Sequence, residues 1–270
     1  MLDFARLDHR LLDDVAEAVH QLVSRAGVDP AGIMLVGARC RDAIHSALGR
    51  TTPTRQTDDL DLAIAIASWQ QFERIGETFP SIRDNDIAYR IADLPVDIVP
   101  FGTVAEDPRG LTRLAPREED LVVFGFREVF DRAASLELAS GESIRLPQPE
   151  GYTLLKVRAW ADRSPDDKDA KDLAVALDWY AESNDVLDRL YGDDIDVAEL
   201  YGFDLAQGAA GLLGGDVRRQ LDPEDADDLA ARFARLDSRH LARELLGLPE
   251  DVARRTAVVQ AFTRGLRGDA

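Results

Sequence analysis

The chain is poor in the residues that most often carry redox or zinc chemistry, with one cysteine, Cys40, and four histidines, His9, His20, His45 and His240, in 270 residues. A lone cysteine cannot close an internal disulfide, and four scattered histidines offer no pair at the spacing of a structural zinc site. Positive charge is also scarce. Lys and Arg number 32 against 51 Asp and Glu, a formal net charge of -19, and only Lys156, Lys168 and Lys171 are lysines. Such a chain repels phosphate backbones at long range, which argues against a general coat for DNA or RNA. It does not exclude a small triphosphate that arrives with its own divalent cation. No apolar run approaches the ~20 residues of a membrane-spanning helix. The start, MLDFARLDHRLLDDV, has neither the basic beginning nor the apolar core of a signal peptide. No membrane partner and a cytoplasmic address are expected.

What the chain does have is an ordinary apolar content, 45%, enough for a sizeable core. Leu11, Val15, Val19 and Val23 recur at helical spacing, with Gly27 as a stop signal. GIMLVG then reads as a short strand ending at Gly37, and RDAIHSALG as a helix closed by Gly49. A second strand spans Asp59 to Ile66, followed by a helix from about Trp69 to Phe79 with Ser68 at its N-cap. DIAYRIAD and PVDIVPFG read as a hairpin meeting at Leu94 and Pro95, DLVVFGF as a further strand, and LELASGESIRL as a hairpin turning at Gly141. Beyond Pro147 and Pro149 only helical periods remain. The spacing therefore predicts an α/β domain over 1–148, a mixed sheet flanked by helices, and a helical domain over 149–270. The glycine-rich GAAGLLGGD falls in the second part and reads as a loop between helices.

TDDLDLAIAI raises the main chemical question, because it puts carboxylates inside an otherwise apolar strand. Residues two apart on a strand share a face, so Asp59 and Asp61 project together while Leu60 and Leu62 pack on the other side. Two like charges side by side are costly unless a cation lies between them, and paired carboxylates suit Mg2+ or Mn2+. Asp97, between Val96 and Ile98, is a third acid in a mostly apolar strand. In a two-metal site Asp59 and Asp61 would bridge both ions, with Asp97 on the ion nearest the attacking hydroxyl, where it would also help to remove the proton. The turn at Gly37 and Ala38, opening the helix, offers free backbone N–H groups and a positive dipole end to an anion. Arg39, Arg41 and Arg55 are placed to strengthen that seat, and Thr57 lies in the approach loop. Asp58 alternates to the opposite side and reads as a loop or solvent group. Trp160 and Trp179 read as packing residues.

The order of these pieces resembles the DNA polymerase beta-like nucleotidyltransferase superfamily. VGARCRDAI, RQTDDLDLAIAI, PVDIVPFG and LLKVRAWADRSPDDKDAKDL are most similar to nucleotidyltransferases of the AbiEii/AbiGii toxin family, from about Gly32 to Tyr180. The superfamily often has serine after the turn glycine, where this chain has Ala38. The resemblance implies a metal-dependent enzyme that moves a nucleoside monophosphate from an NTP to an acceptor hydroxyl. It also implies that Lys156 contacts the triphosphate while Asp169 or Asp172 orients that lysine. A toxin of this kind would act on tRNA or on a protein and would have a cognate antitoxin. Arg218, Arg219, Arg232 and Arg235 are the residues that would supply a basic face for tRNA. Two alternatives stand beside it: a transferase for small molecules such as antibiotics, and a nucleotide-binding regulatory module without turnover.

Overall fold

The computed structural model describes residues 2–55, 57, 59–105, 110–114, 119–163, 167–249 and 251–269. Asp58 lies outside them. The chain divides into two compact units, Met1–Gln148 and Pro149–Ala270. The first is mixed α/β and the second is helical.

In chain order the first unit contains α1 (Asp13–Ala26), β1 (Ile33–Leu35), α2 (Gly37–Ala47), β2 (Leu60–Ala65), α3 (Trp69–Thr78), β3 (Ala88–Ile91) and β4 (Leu94–Phe101). There follow β5 (Leu111–Leu114), β6 (Glu119–Val122), α4 (Phe126–Arg132), β7 (Ala134–Glu137) and β8 (Ser143–Leu146). Six strands form one sheet in the order β3-β4-β2-β1-β8-β7, and β5 and β6 form a separate antiparallel pair. β2 runs parallel to β4 and antiparallel to β1, while β1 runs parallel to β8. The central strands are apolar on both faces, as covered strands must be. Ile33, Met34 and Leu35 in β1, and Leu62, Ala63 and Ile64 in β2, are fully buried. α1 buries Val15, Val19 and Leu22, and Gly27 in the left-handed region, φ 69°, ends it.

Local chemistry moves the turn of one hairpin and changes how one helix is capped. The β3-β4 hairpin turns at Ala92 and Asp93, both at positive φ, so Leu94 and Pro95 already belong to β4. Ser68 stands at the N-cap of α3 but its side chain makes no capping bond. Gln71 Oε1 accepts from the Ala67 N–H instead.

The second unit contains α5 (Pro149–Arg163), α6 (Asp167–Ala181), α7 (Asn184–Leu190), α8 (Ile195–Leu200), α9 (Leu205–Arg218), α10 (Pro223–Phe233), α11 (Ser238–Glu244) and α12 (Val252–Arg267). GAAGLLGGD is not a loop; it is the buried interior of α9. A Cβ at Gly214 would lie 2.2 Å from the Phe262 carbonyl oxygen, and one at Gly265 would lie 2.1 Å from the Gly211 carbonyl oxygen. The glycines therefore let α9 and α12 approach backbone to backbone, and that packing outweighs the ~1 kcal/mol each glycine costs a helix interior. Asp204, Asp222, Asp237 and Asp251 cap helices by accepting backbone N–H groups, which gives several of the chain's many acids an ordinary job. Trp160 packs on Phe233 and Trp179 on Tyr152.

Candidate active site

The strand register brings the acids together. Asp61 on β2 is the direct partner of Asp97 on β4, in parallel pairing. Leu60, Leu62, Val96 and Ile98 beside them are buried, so the two carboxylates share the less covered face of the sheet. Asp59 precedes β2, and its charge reaches Asp97. Thr57 Oγ1 donates to Asp59 Oδ1.

Gly37 explains why Asp61 can sit where it does. A Cβ built on Gly37 would lie 1.9 Å from Asp61 Oδ2, and Gly37 has φ 66°. Only glycine both adopts that backbone comfortably and leaves room for the carboxylate. The Val36 N–H donates to the Asp61 carbonyl oxygen at 3.1 Å, joining β1 to β2 where α2 begins. Asp61 thus lies against the N-terminal turn of α2, whose dipole favours negative charge. Ala38, next in the turn, is buried.

Asp97 is the strained member of the set. Its side chain is 18% exposed, and it forms an ion pair of 3.4 Å between Oδ2 and Nη1 of the half-exposed Arg83. Oδ1 is shielded from solvent and has no hydrogen-bond partner among the described residues. Burial holds its carboxyl above the ordinary carboxylate range, Arg83 opposes this, and the charge of Asp59 pushes it further up. A buried carboxylate oxygen left unmet costs on the order of 1–3 kcal/mol.

This donor set suits a hard divalent ion. It is oxygen only, and Asp97 Oδ1 has spare lone pairs facing no donor among the described residues. Among the described residues no group of three or more His, Cys, Asp or Glu is gathered tightly enough to hold an ion as it stands. The acids meet as a pair in register with a third within electrostatic reach, and the fit to Mg2+ or Mn2+ is one of donor chemistry and strand placement.

The cations around the turn are distributed differently from one another. Arg39 pairs with Asp14 at 3.0 Å and keeps a quarter of its side chain exposed. Arg41 faces inward with a side chain only 1% exposed, donating to Asp42 Oδ1 at 2.9 and 2.7 Å and to the Arg55 carbonyl oxygen. Thr54 Oγ1 donates to the same Asp42 oxygen at 2.6 Å, and His45 Nε2 meets the Thr52 carbonyl and hydroxyl at 3.1 and 3.0 Å. Arg41, Asp42 and His45 therefore anchor the segment that leads to Thr57 and Asp59, and this leaves the Arg55 side chain exposed. Nothing in the sequence marks that anchoring, since an arginine on an amphipathic helix ordinarily faces water. Arg83 was missed as well: it stands in a turn without a periodic pattern.

In the helical unit, Lys156 Nζ lies 3.3 Å from Asp169 Oδ1 and 2.6 Å from Asp172 Oδ2. Arg163 adds a 3.2 Å contact to Asp169, and the ammonium stands 5.7 Å from the Tyr152 ring centroid. The spacing of three between the acids, one turn of α6, puts both on the face that meets α5. Arg218, Arg219 and Arg232 are each paired with an acid, Asp227, Asp216 and Asp228. Their charge is largely answered from within the unit.

No family model and no curated protein sequence matches the chain. Among solved structures it is similar to an antigenic nucleotidyltransferase-like protein from Paracoccidioides brasiliensis, with a TM-score of 0.40 and 14% identity over 75% of this chain and 93% of that one. It is also similar to the antibiotic-resistance factor ANT(2'')-Ia, with a TM-score of 0.35 and 18% identity over 70% of this chain and 97% of that one.

Proposed function

We propose that the chain transfers a nucleoside monophosphate from an NTP to an acceptor hydroxyl, using Asp59, Asp61 and Asp97 as the carboxylates of a magnesium or manganese site. The observation that carries this reading is the register pair Asp61–Asp97 set against the Gly37 turn, with one oxygen of Asp97 buried and unmet among the described residues. A divalent ion, when bound, would neutralise these acids and offset the charge that develops on the departing pyrophosphate. The N–H groups at the start of α2 would receive phosphate oxygens, since a helix N-terminus is a ready anion seat. Thr57 would fix the orientation of Asp59 through its hydroxyl. Asp97, whose carboxyl is held above its usual range, would take the proton of the acceptor hydroxyl, and its basicity suits that role better than an ordinary aspartate's.

The AbiEii-like motifs extend the proposal to a toxin whose acceptor is tRNA or protein. Pairing of Arg218, Arg219 and Arg232 with acids favours protein of the two, because those cations are already answered. The test incubates the protein with Mg2+ and each labelled NTP, adding total tRNA, a protein extract or small amino-containing metabolites in separate arms. Label on protein and pyrophosphate release are expected with wild type and not with Asp59→Asn or Asp61→Asn. Equal product from all three proteins would remove the metal assignment. Label on tRNA alone or on a metabolite alone would move the acceptor.

A further inference from the structure

The helical unit contains a cavity of about 450 Å3 between the C-terminal half of α6, the start of α9, the segment before α12 and the first turns of α12. It is far from empty of signal. Phe203, Leu205 and Leu246 line it and are themselves 49, 39 and 47% exposed. Asp178, Glu182 and Asp204 also line it, as does Arg254, which stands 3.7 Å from Asp204. The opening is thus apolar in its walls and negative in charge.

Phe203 has a further peculiarity. It follows Gly202 in the left-handed region, with φ 62°, a conformation that costs a bulky side chain on the order of 1 kcal/mol. The Phe203 N–H donates to the Ala198 carbonyl oxygen at 2.8 Å, so the backbone is held there after α8. Phe203 is nonetheless 49% exposed.

The sequence leading into the cavity has the same electrical character. Residues 182–204 hold eight acids and one base, Arg189, a net of -7 in a stretch that is less than a tenth of a chain of net -19. Leu187, Tyr191, Ile195 and Leu200 within it are exposed as well. A second copy of this chain, or a nucleic acid, would bring like charge to this region and be repelled.

We propose that this cavity is a docking site for a basic amphipathic segment of a partner protein, a peptide with Lys or Arg around one large apolar anchor. The anchor would enter between Phe203, Leu205 and Leu246, in the manner of a buried hot-spot side chain. The basic residues would face Asp178, Glu182 and Asp204, and the -7 stretch would speed their approach. Because apolar exposure continues past the cavity along the chain, an extended partner fits it better than a compact small molecule. This assignment does not depend on nucleotidyl transfer.

The experiment is a fluorescence-anisotropy titration of the full chain with a labelled Lys/Leu amphipathic peptide of about 18 residues, carrying one Trp on its apolar face, enough for some five helical turns. Two control peptides have the same charge without apolar residues and the same apolar residues with Glu for Lys. The expected result is saturable binding of the first peptide only. Phe203→Gly, which also relaxes the backbone, and Leu246→Ser should each weaken it at least tenfold while leaving the far-ultraviolet spectrum unchanged. Hydrogen exchange should slow on peptide addition at 199–206 and 245–248. Equal binding by the all-polar basic peptide would overturn the proposal, as would affinity indifferent to both substitutions or protection confined to other segments. Binding of small apolar amines with no binding of the peptide would overturn it too.

Discussion

Asp169, Asp172 and Asp216 in the helical unit and Asp97 in the sheet are all largely buried acids, but they are treated differently. Asp169 has Lys156 and Arg163, Asp172 has Lys156 at 2.6 Å, and Asp216 takes two hydrogen bonds from Arg189, at 2.8 and 3.1 Å, and a third from the Tyr180 hydroxyl at 2.8 Å. Among the described residues Asp97 has one long contact to an exposed arginine, one oxygen without a hydrogen-bond partner, and a second carboxylate, Asp61, beside it in register. The buried acids of the helical unit are therefore met by close cations, whereas Asp97 has a single long contact among the described residues. A buried carboxylate kept short of donors is a cost that a bound cation would reverse, and that is the physical basis for reading the sheet as the chemical half of the molecule.

The sharpest way to break this contrast is to neutralise an acid on the sheet. Asp61→Asn should lower transfer more than 1,000-fold, about 4 kcal/mol in barrier, with no loss of thermal stability, measured as pyrophosphate release beside a melting curve. In the helical unit the order of effects should invert. Lys156→Met leaves Asp172 and Asp169 buried with too little positive charge and should cost roughly 3–5 kcal/mol of stability in a denaturant titration. A loss below about 1 kcal/mol would make that cluster an ordinary surface pair.

Gly37→Ala probes the joint between turn and acid. The new Cβ would overlap the Asp61 carboxylate and take a left-handed backbone, so a cost of about 1–2 kcal/mol is expected, together with at least a tenfold fall in transfer. The smallest effect is predicted for Asp97→Asn on stability alone. Burial raises the Asp97 pKa, so the stability it contributes is full below its ordinary value of 3.8 and is lost as pH rises through the raised value. The asparagine variant should therefore melt higher than wild type at roughly pH 7.5 without Mg2+, and the advantage should vanish at acid pH. Lower melting of the variant at neutral pH would show that Asp97 serves the fold.

Much of the sheet was legible because β structure has a short period and the acids interrupt it. Asp61 and Asp97 each stand alone between two apolar neighbours, and Gly37 ends a run of branched residues before a helix, so strand, turn and shared face could be read in order. That Asp61 and Asp97 are register partners could not, since pairing of β2 with β4 is a long-range choice. α9 differs from its expectation for a related reason. Glycine signals a break locally, and only the close approach of α9 and α12 makes Gly214 and Gly265 better than any larger residue. The inward turn of Arg41 was hidden because its partners, Asp42 and the Arg55 carbonyl, are satisfied only once the loop is folded back.

The central claim is that the sheet acids await a divalent cation. It is tested most directly by titrating Mn2+ into the protein with a non-hydrolysable NTP and counting bound ion by electron paramagnetic resonance. Wild type should bind Mn2+ saturably, and Asp61→Asn and Asp97→Asn should each weaken that binding at least tenfold. Wild type and the two aspartate variants titrating alike would contradict the account.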